Sequence, residues 1–150
     1  MYIEIKNLPP MPRNRSHMVA RNMLIKTPLA RAFEEDLFDR LKKMDQTMFE
    51  SFKKQFDPKK HYITAQYIIY TPEDELFTKD GRISHRAVDT DAHKLMQDVI
   101  FKHMKIDDAL IRYSSYSTPV SGDGNWNYFI IINTAPLEYL RGAVGIEGDL

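Results

Sequence analysis

Apolar and polar residues alternate most strictly at the start of the chain. Ile3 and Ile5 fall on one side and Tyr2, Glu4 and Lys6 on the other, which predicts a half-buried strand over 2–6. Leu8 to Met23 places Pro9, Pro10 and Pro12 among Arg, Asn and Ser with no sustained period, and reads as a long extended loop. An ordered loop of that length usually carries function. Thr27 then stands as an N-cap, with Pro28 at the first helical position, where a missing N–H costs nothing. Leu29, Phe33, Leu37, Leu41, Met44, Met48 and Phe52 follow at helical spacing and predict one long helix that ends before Asp57-Pro58. Such a helix is about 45 Å long if unbroken. Glu34 to Asp36 near its start and Lys53 and Lys54 near its end complement the helix dipole. Phe38, Phe49 and Phe56 widen its apolar surface, as a well-covered core helix or a face shared with a second subunit requires.

His61 to Tyr70 is rich in β-branched and aromatic residues and predicts a strand stopped by Thr71-Pro72. Lys79 to Arg82 is a turn signal. Ala92 to Met104 predicts a shorter amphipathic helix, with Leu95, Met96, Val99, Ile100 and His103 inward and Asp91 as N-cap. Ala109 to Thr118 and Trp126 to Asn133 read as two more strands joined by the turn Ser121 to Asn125, and the tail from Thr134 as loosely packed. The order of elements implies an α+β fold: one domain over 1–150, a mixed β-sheet carrying one long and one shorter helix. A chain of this size buries roughly 68–70% of the surface it exposes when unfolded, enough to fold without staples.

Charge changes the picture locally rather than globally. Lys plus Arg and Asp plus Glu stand at 21 each, so net charge does not announce a polyanionic partner. Before Glu34, however, Lys6, Arg13, Arg15, Arg21, Lys26 and Arg31 face only Glu4, whereas acids gather at 34–36, 73–75 and 89–108. One end is suited to anions, another to cations; a basic segment that is only a solvated surface fits the first observation as well. Cysteine is absent, which excludes disulfides, thiolate zinc sites and cysteine nucleophiles and points to a reducing, cytoplasmic setting. The opening residues contain no apolar run suited to a signal peptide or membrane span, so no membrane association is expected.

The acids hold the candidate chemistry. Asp89 and Asp91, separated by Thr90 in an extended segment, project from one side and can share a hard cation. Asp107 and Asp108 open the strand after the second helix; whether Asp108 returns to the first pair is a question of tertiary structure. Oxygen-only ligation favours Mg²⁺ or Mn²⁺ over zinc. The blander alternative makes Asp91 a cap, Asp89 a solvated acid, Asp107-Asp108 a turn, and Lys94 a surface partner for Asp98 one helical turn on.

Taken in order, three runs carry a resemblance: Phe77 to Ser84, Val88-Asp-Thr-Asp-Ala-His-Lys-Leu-Met-Gln-Asp98, and Lys105-Ile-Asp-Asp-Ala-Leu-Ile111. With the N-terminal Leu8-Pro-Pro-Met-Pro-Arg-Asn-Arg-Ser-His17 and Ile25-Lys-Thr-Pro28, they resemble the RusA-like Holliday-junction resolvase family. That family's core pattern is D-x-D-N-x-x-K-x-x-x-D, then a helix and G-I-x-D-D-x-x-I. The chain departs from it at Ala92, which replaces the pattern's Asn, and by one residue missing between Asp91 and Lys94.

The resemblance implies a Mg²⁺-dependent endodeoxyribonuclease, with Mn²⁺ as a possible substitute, that resolves four-way junctions or other branched DNA by paired nicks in a homodimer. It implies Asp89, Asp91, Lys94 and Asp108 as catalytic residues, and Asp89, Asp91, Asp107 and Asp108 around the metal. Arg13, Asn14, Arg15, His17 and Lys26 take the phosphates of DNA, and the setting is a bacterial or phage-infected cell. The departures motivate an alternative, a degraded relative that binds branched DNA or a phage or host partner without cutting. A small metal enzyme acting on nucleotides accounts for the carboxylates but not for the basic Pro-Arg-Asn loop.

Overall fold

The computed structural model describes residues 1–11, 17–20, 23–84 and 93–142. Its elements are β1 (Tyr2–Lys6), β2 (His17–Ala20), β3 (Met23–Lys26), α1 (Pro28–Lys43), α2 (Gln46–Gln55), β4 (His61–Tyr70), α3 (Glu73–Leu76), α4 (His93–Met104), a 3₁₀ turn (Asp108–Leu110), β5 (Ile111–Ser117), β6 (Asn127–Pro136) and α5 (Glu138–Arg141). The fold is α+β. Four strands form a mixed sheet in the order β1-β6-β4-β5, antiparallel except for the parallel β4–β5 pair. β2 and β3 form a separate antiparallel hairpin.

Period-two alternation decides which side of the sheet is covered. Ile3 and Ile5 of β1, Tyr128, Ile130 and Ile132 of β6, and Ile63, Ala65, Tyr67 and Ile69 of β4 are all buried on one face. That face joins one continuous core with Phe33, Leu37 and Leu41 of α1, Phe49 and Phe52 of α2, and Leu95, Met96, Ile100 and Met104 of α4. On the other face Tyr2 stacks on Phe129 with ring centroids 5.7 Å apart, beside Glu4, Gln66 and Asn133. Among the described residues no helix is long and apolar enough to cross a membrane.

The structure corrects several expectations. The long helix is broken: Met44 is extended, Asp45 caps α2 by accepting a hydrogen bond from the Thr47 N–H (2.9 Å), and the Gln46 side chain donates to the carbonyls of Leu41 and Met44 (2.8 Å each). An aspartate that competes for backbone N–H groups restarts a helix more readily than it continues one. Leu29, placed on the apolar stripe, is 60% exposed. The stretch read as an element-free loop contains β2, whose partner β3 runs directly into α1. Within the segment expected to pack loosely, Thr134 to Pro136 continue β6 against β4 as far as His61, and Leu137 N–H donates to Lys60 O (2.9 Å).

The turn between β5 and β6 is organised by Asp123, whose carboxylate accepts from Ser121 Oγ (2.7 Å), Asn125 N (2.9 Å) and Asn127 Nδ2 (2.8 Å). These bonds, the serine's above all, hold its carboxyl down at about 2. Gly124, at φ +75°, takes the left-handed conformation that the turn needs.

His103, expected to point inward, instead ties the helices together at their edge. Its ring meets Phe49 at 4.9 Å and Phe38 at 5.5 Å, both edge-on, and its Nε2 lies 2.9 Å from Gln46 Oε1. Burial first, and then the charges of Lys42 and Lys53, lower its pKa. A lowered base contributes stability that is fully present above the ordinary histidine value of about 6.5 and is lost as pH falls through the lowered one. The melting temperature of the wild type is therefore expected to fall as pH drops from about 7 to 5. His103→Gln flattens that fall, and equal slopes in the two proteins would show that His103 does not contribute. In the core, Leu37→Ala is expected to cost about 2–5 kcal/mol in urea unfolding at an unchanged m-value.

Candidate functional site

The site is assembled where α4 reverses into β5. Lys105, at φ +58°, turns the chain out of the helix, and the Ile106 N–H donates back to Phe101 O (3.1 Å). Asp107 then caps the 3₁₀ turn, its carboxylate accepting from Ala109 N–H at 2.9 Å. Asp108 is thereby brought beside Asp98 on α4, so that the two carboxyl groups meet within hydrogen-bond reach.

Two carboxylates in contact raise each other's cost of ionisation unless a proton or a cation lies between them. Although the Asp98 side chain reaches solvent, its pKa is raised, first by burial and then by the hydrogen bond and charge of Asp108. Glu34 adds to the rise and Lys26 opposes it. Lys26, the last residue of β3, is ion-paired with Glu34 of α1, so one ammonium is shared electrostatically between that carboxylate and Asp98.

Tyr67 of β4 closes the inner side. Its hydroxyl donates to Gln97 Oε1 at 2.8 Å. Burial, and then the negative charges of Asp98 and Asp108, hold the phenol protonated well above the usual tyrosine range, so it acts as a donor and not as a base. Next to the carboxylates a cleft of about 450 Å³ opens between α1 and α4, lined by Phe38 and Val99 as apolar groups and by Lys26, Glu34, Asp98 and Lys102 among the charged ones.

No protein-family model and no curated protein matches this chain. The site is therefore read from its own geometry. Of the residues singled out in the sequence, Asp108 and Lys26 come together, joined by Asp98. Lys94 is exposed on α4, one turn before Asp98, and Asp107 is exposed as a cap. Asp89, Asp91, Arg13, Asn14 and Arg15 lie outside the described residues, and for His17 only its place in β2 is described. Asp98, Glu34 and Tyr67 are site residues that sequence reasoning did not select. The signal for Asp98 was present as the last acid of the D-x-x-K-x-x-x-D spacing, where it passed for a surface partner of Lys94.

The donor set suits a hard divalent cation: oxygen ligands only, with a mutual repulsion that such an ion relieves. Among the described residues no group of three or more His, Asp or Glu side chains is arranged to hold a metal. Removing one charge from the pair should relieve its repulsion. Asp98→Asn is expected to raise the melting temperature at pH 7.5 by at most about 2–4 °C, the equivalent of about 1 kcal/mol or less for a screened pair. That gain disappears below about pH 4, where the wild-type carboxyl is itself protonated. A melting temperature lowered by Asp98→Asn at pH 7.5 would mean that Lys26 outweighs Asp108 at this position.

Proposed function

We propose that the chain is a Mg²⁺-dependent, structure-selective endodeoxyribonuclease of the RusA-like type. It acts on four-way or otherwise branched DNA as a homodimer, in the cytoplasm of a bacterial or phage-infected cell. The observation that carries this reading is the contact between Asp98 and Asp108 beside the Lys26 ammonium: a cation-seeking carboxylate pair adjoining one of the basic residues of the N-terminal segment. It is supported by the ordered resemblance of the motifs around 77–111 and by Asp108 lying where α4 turns into β5.

In this reading Asp108 and Asp98, with Asp89 and Asp91 from the preceding segment, hold the cation, and Asp107 fixes the backbone that presents Asp108. The chemistry supplied by a bound Mg²⁺ or Mn²⁺ is polarisation of the phosphoryl oxygen, activation of water and neutralisation of charge on the leaving oxygen. Lys94 places a fixed positive charge near the reacting phosphate, a contact of a kind typically worth about 2.7–4 kcal/mol. Tyr67, kept protonated, excludes water from the inner wall. Arg13, Asn14, Arg15, His17 and Lys26 bind backbone phosphates and orient the junction without reading its sequence, which makes binding steeply salt-dependent. Two-fold symmetry in dimer and junction matches one site to each of two strands.

The test is cleavage of a labelled mobile four-way junction and a matched linear duplex, in Mg²⁺ or EDTA, by wild type, Asp91→Asn, Asp98→Asn and Asp108→Asn. Paired symmetric nicks in the junction alone are expected, abolished by EDTA. Outer-shell partners of a metal typically contribute 10–100-fold, so each substitution should lower the rate by about 100-fold or more. Tight junction binding with no cutting in Mg²⁺ or Mn²⁺ would replace the nuclease by a non-cleaving relative, the outcome that Ala92 and the shortened Asp91–Lys94 spacing favour.

A further inference from the structure

The wall of the carboxylate site continues outward as a column of aromatic rings. Tyr67 and Tyr116 are partners across the parallel β4–β5 pair and stand on the same face of the sheet. The ring of His93, the first residue of α4, is 5.0 Å from Tyr67 and 5.2 Å from Tyr116, inclined to the latter by only 21°. The column starts at a fully buried tyrosine whose phenol feels the charges of Asp98 and Asp108, and it ends at a ring that is 44% exposed.

With its ring stacked on His93, Tyr116 still keeps 44% of its surface exposed. Its neighbour on the same side of β5 is Ser114, small and exposed, so no bulky side chain from that position screens the ring. Tyr113 to Ser117 carries no charge, and β5 is the edge strand of the sheet, so this stretch itself presents no negative charge to a phosphate backbone. The stack is braced from behind by Tyr67, which packing and its bond to Gln97 hold in place. A planar ligand adding to this column loses little to ordering of the protein.

We propose that Tyr116, backed by His93, is a stacking platform for one unpaired nucleobase of the branched DNA, next to the phosphodiester that the carboxylate site addresses. The proposal rests on the nuclease reading for its ligand class. Bases at a branch point unstack more cheaply than bases in continuous duplex, and every base has a face that an exposed aromatic ring can take. The platform therefore selects for branched over linear DNA without selecting a sequence.

Affinity for a four-way junction in EDTA, where no cutting occurs, tests it. Base–aromatic stacking predicts that Tyr116→Ala weakens binding by roughly 5- to 150-fold. Tyr116→Phe remains within about 2-fold of wild type, since it keeps the ring. Tyr116→Leu, which keeps apolar bulk without a ring, behaves like Tyr116→Ala and guards against a folding defect in the smaller variant. Junctions carrying an abasic sugar at each nucleotide flanking the crossover, one at a time, complete the cycle. At one position the abasic site weakens wild-type binding by the same factor and adds nothing further to Tyr116→Ala.

Wild-type affinity in Tyr116→Ala and Tyr116→Leu, or losses that simply add at every position, overturns the platform. Coupling without Mg²⁺-dependent cutting upholds the platform and rejects the nuclease. Cutting without coupling does the reverse, and a wild type that does not bind the junction rejects both.

Discussion

Two parallel neighbouring strands cannot be joined by a tight turn. The chain must leave the end of the first, cross the sheet and return to the start of the second. Here β4 and β5 are that pair, and α4 lies on the connection between them. Because the inner face of β4 is apolar from Ile63 to Ile69, the crossover helix has to lie on it with Leu95, Met96 and Ile100 turned inward. Once that face is set, Gln97 meets the Tyr67 hydroxyl and Asp98 is held at the helix edge. The reversal at Lys105 then delivers Asp108 to Asp98. The meeting of the two carboxylates is a consequence of how the sheet is covered.

The same packing governs the electrostatics. Desolvation beside the core, more than any single neighbour, raises the Asp98 carboxyl, and Asp108 raises it further. Lys26 offsets part of this while bound to Glu34. The described site is thus richer in carboxylate than in compensating charge, a state that a hard cation relieves and a neutral side chain at Asp98 also relieves. Behind it, Tyr67 links the charged rim to the core and to the aromatic column that ends at Tyr116.

α1, α2 and α4 converge on His103 in a comparable way. The break at Met44-Asp45 lets α2 turn so that Phe49, on α2, reaches the imidazole edge while Phe38, on α1, reaches it from the other side. A continuous helix would carry Phe49 onward along the α1 axis instead. The break and the histidine contact belong together, which is why the protonation of a partly exposed histidine has consequences for the helical layer.

Read alone, the amino-acid sequence determined the elements whose periodicity is strong and local: β1 and β4 to the residue, α4 nearly so, the Asp123 turn, and the α+β class that their order implies. Burial of one face imposes a period of two or of 3.6 on the residues themselves, so those features are legible without neighbours. It also marked Asp108 and Lys26 by residue type and motif. It did not disclose the β2–β3 pairing, whose short strands carry too little alternation, or the break at Asp45, where a capping preference competes with an uninterrupted apolar stripe. Nor did it reveal that Asp98, which helical spacing presents as a surface partner for Lys94, stands against Asp108. Contacts across a crossover are set by which faces the core buries, and no local pattern of residues encodes a distance between segments that meet only when the sheet is covered.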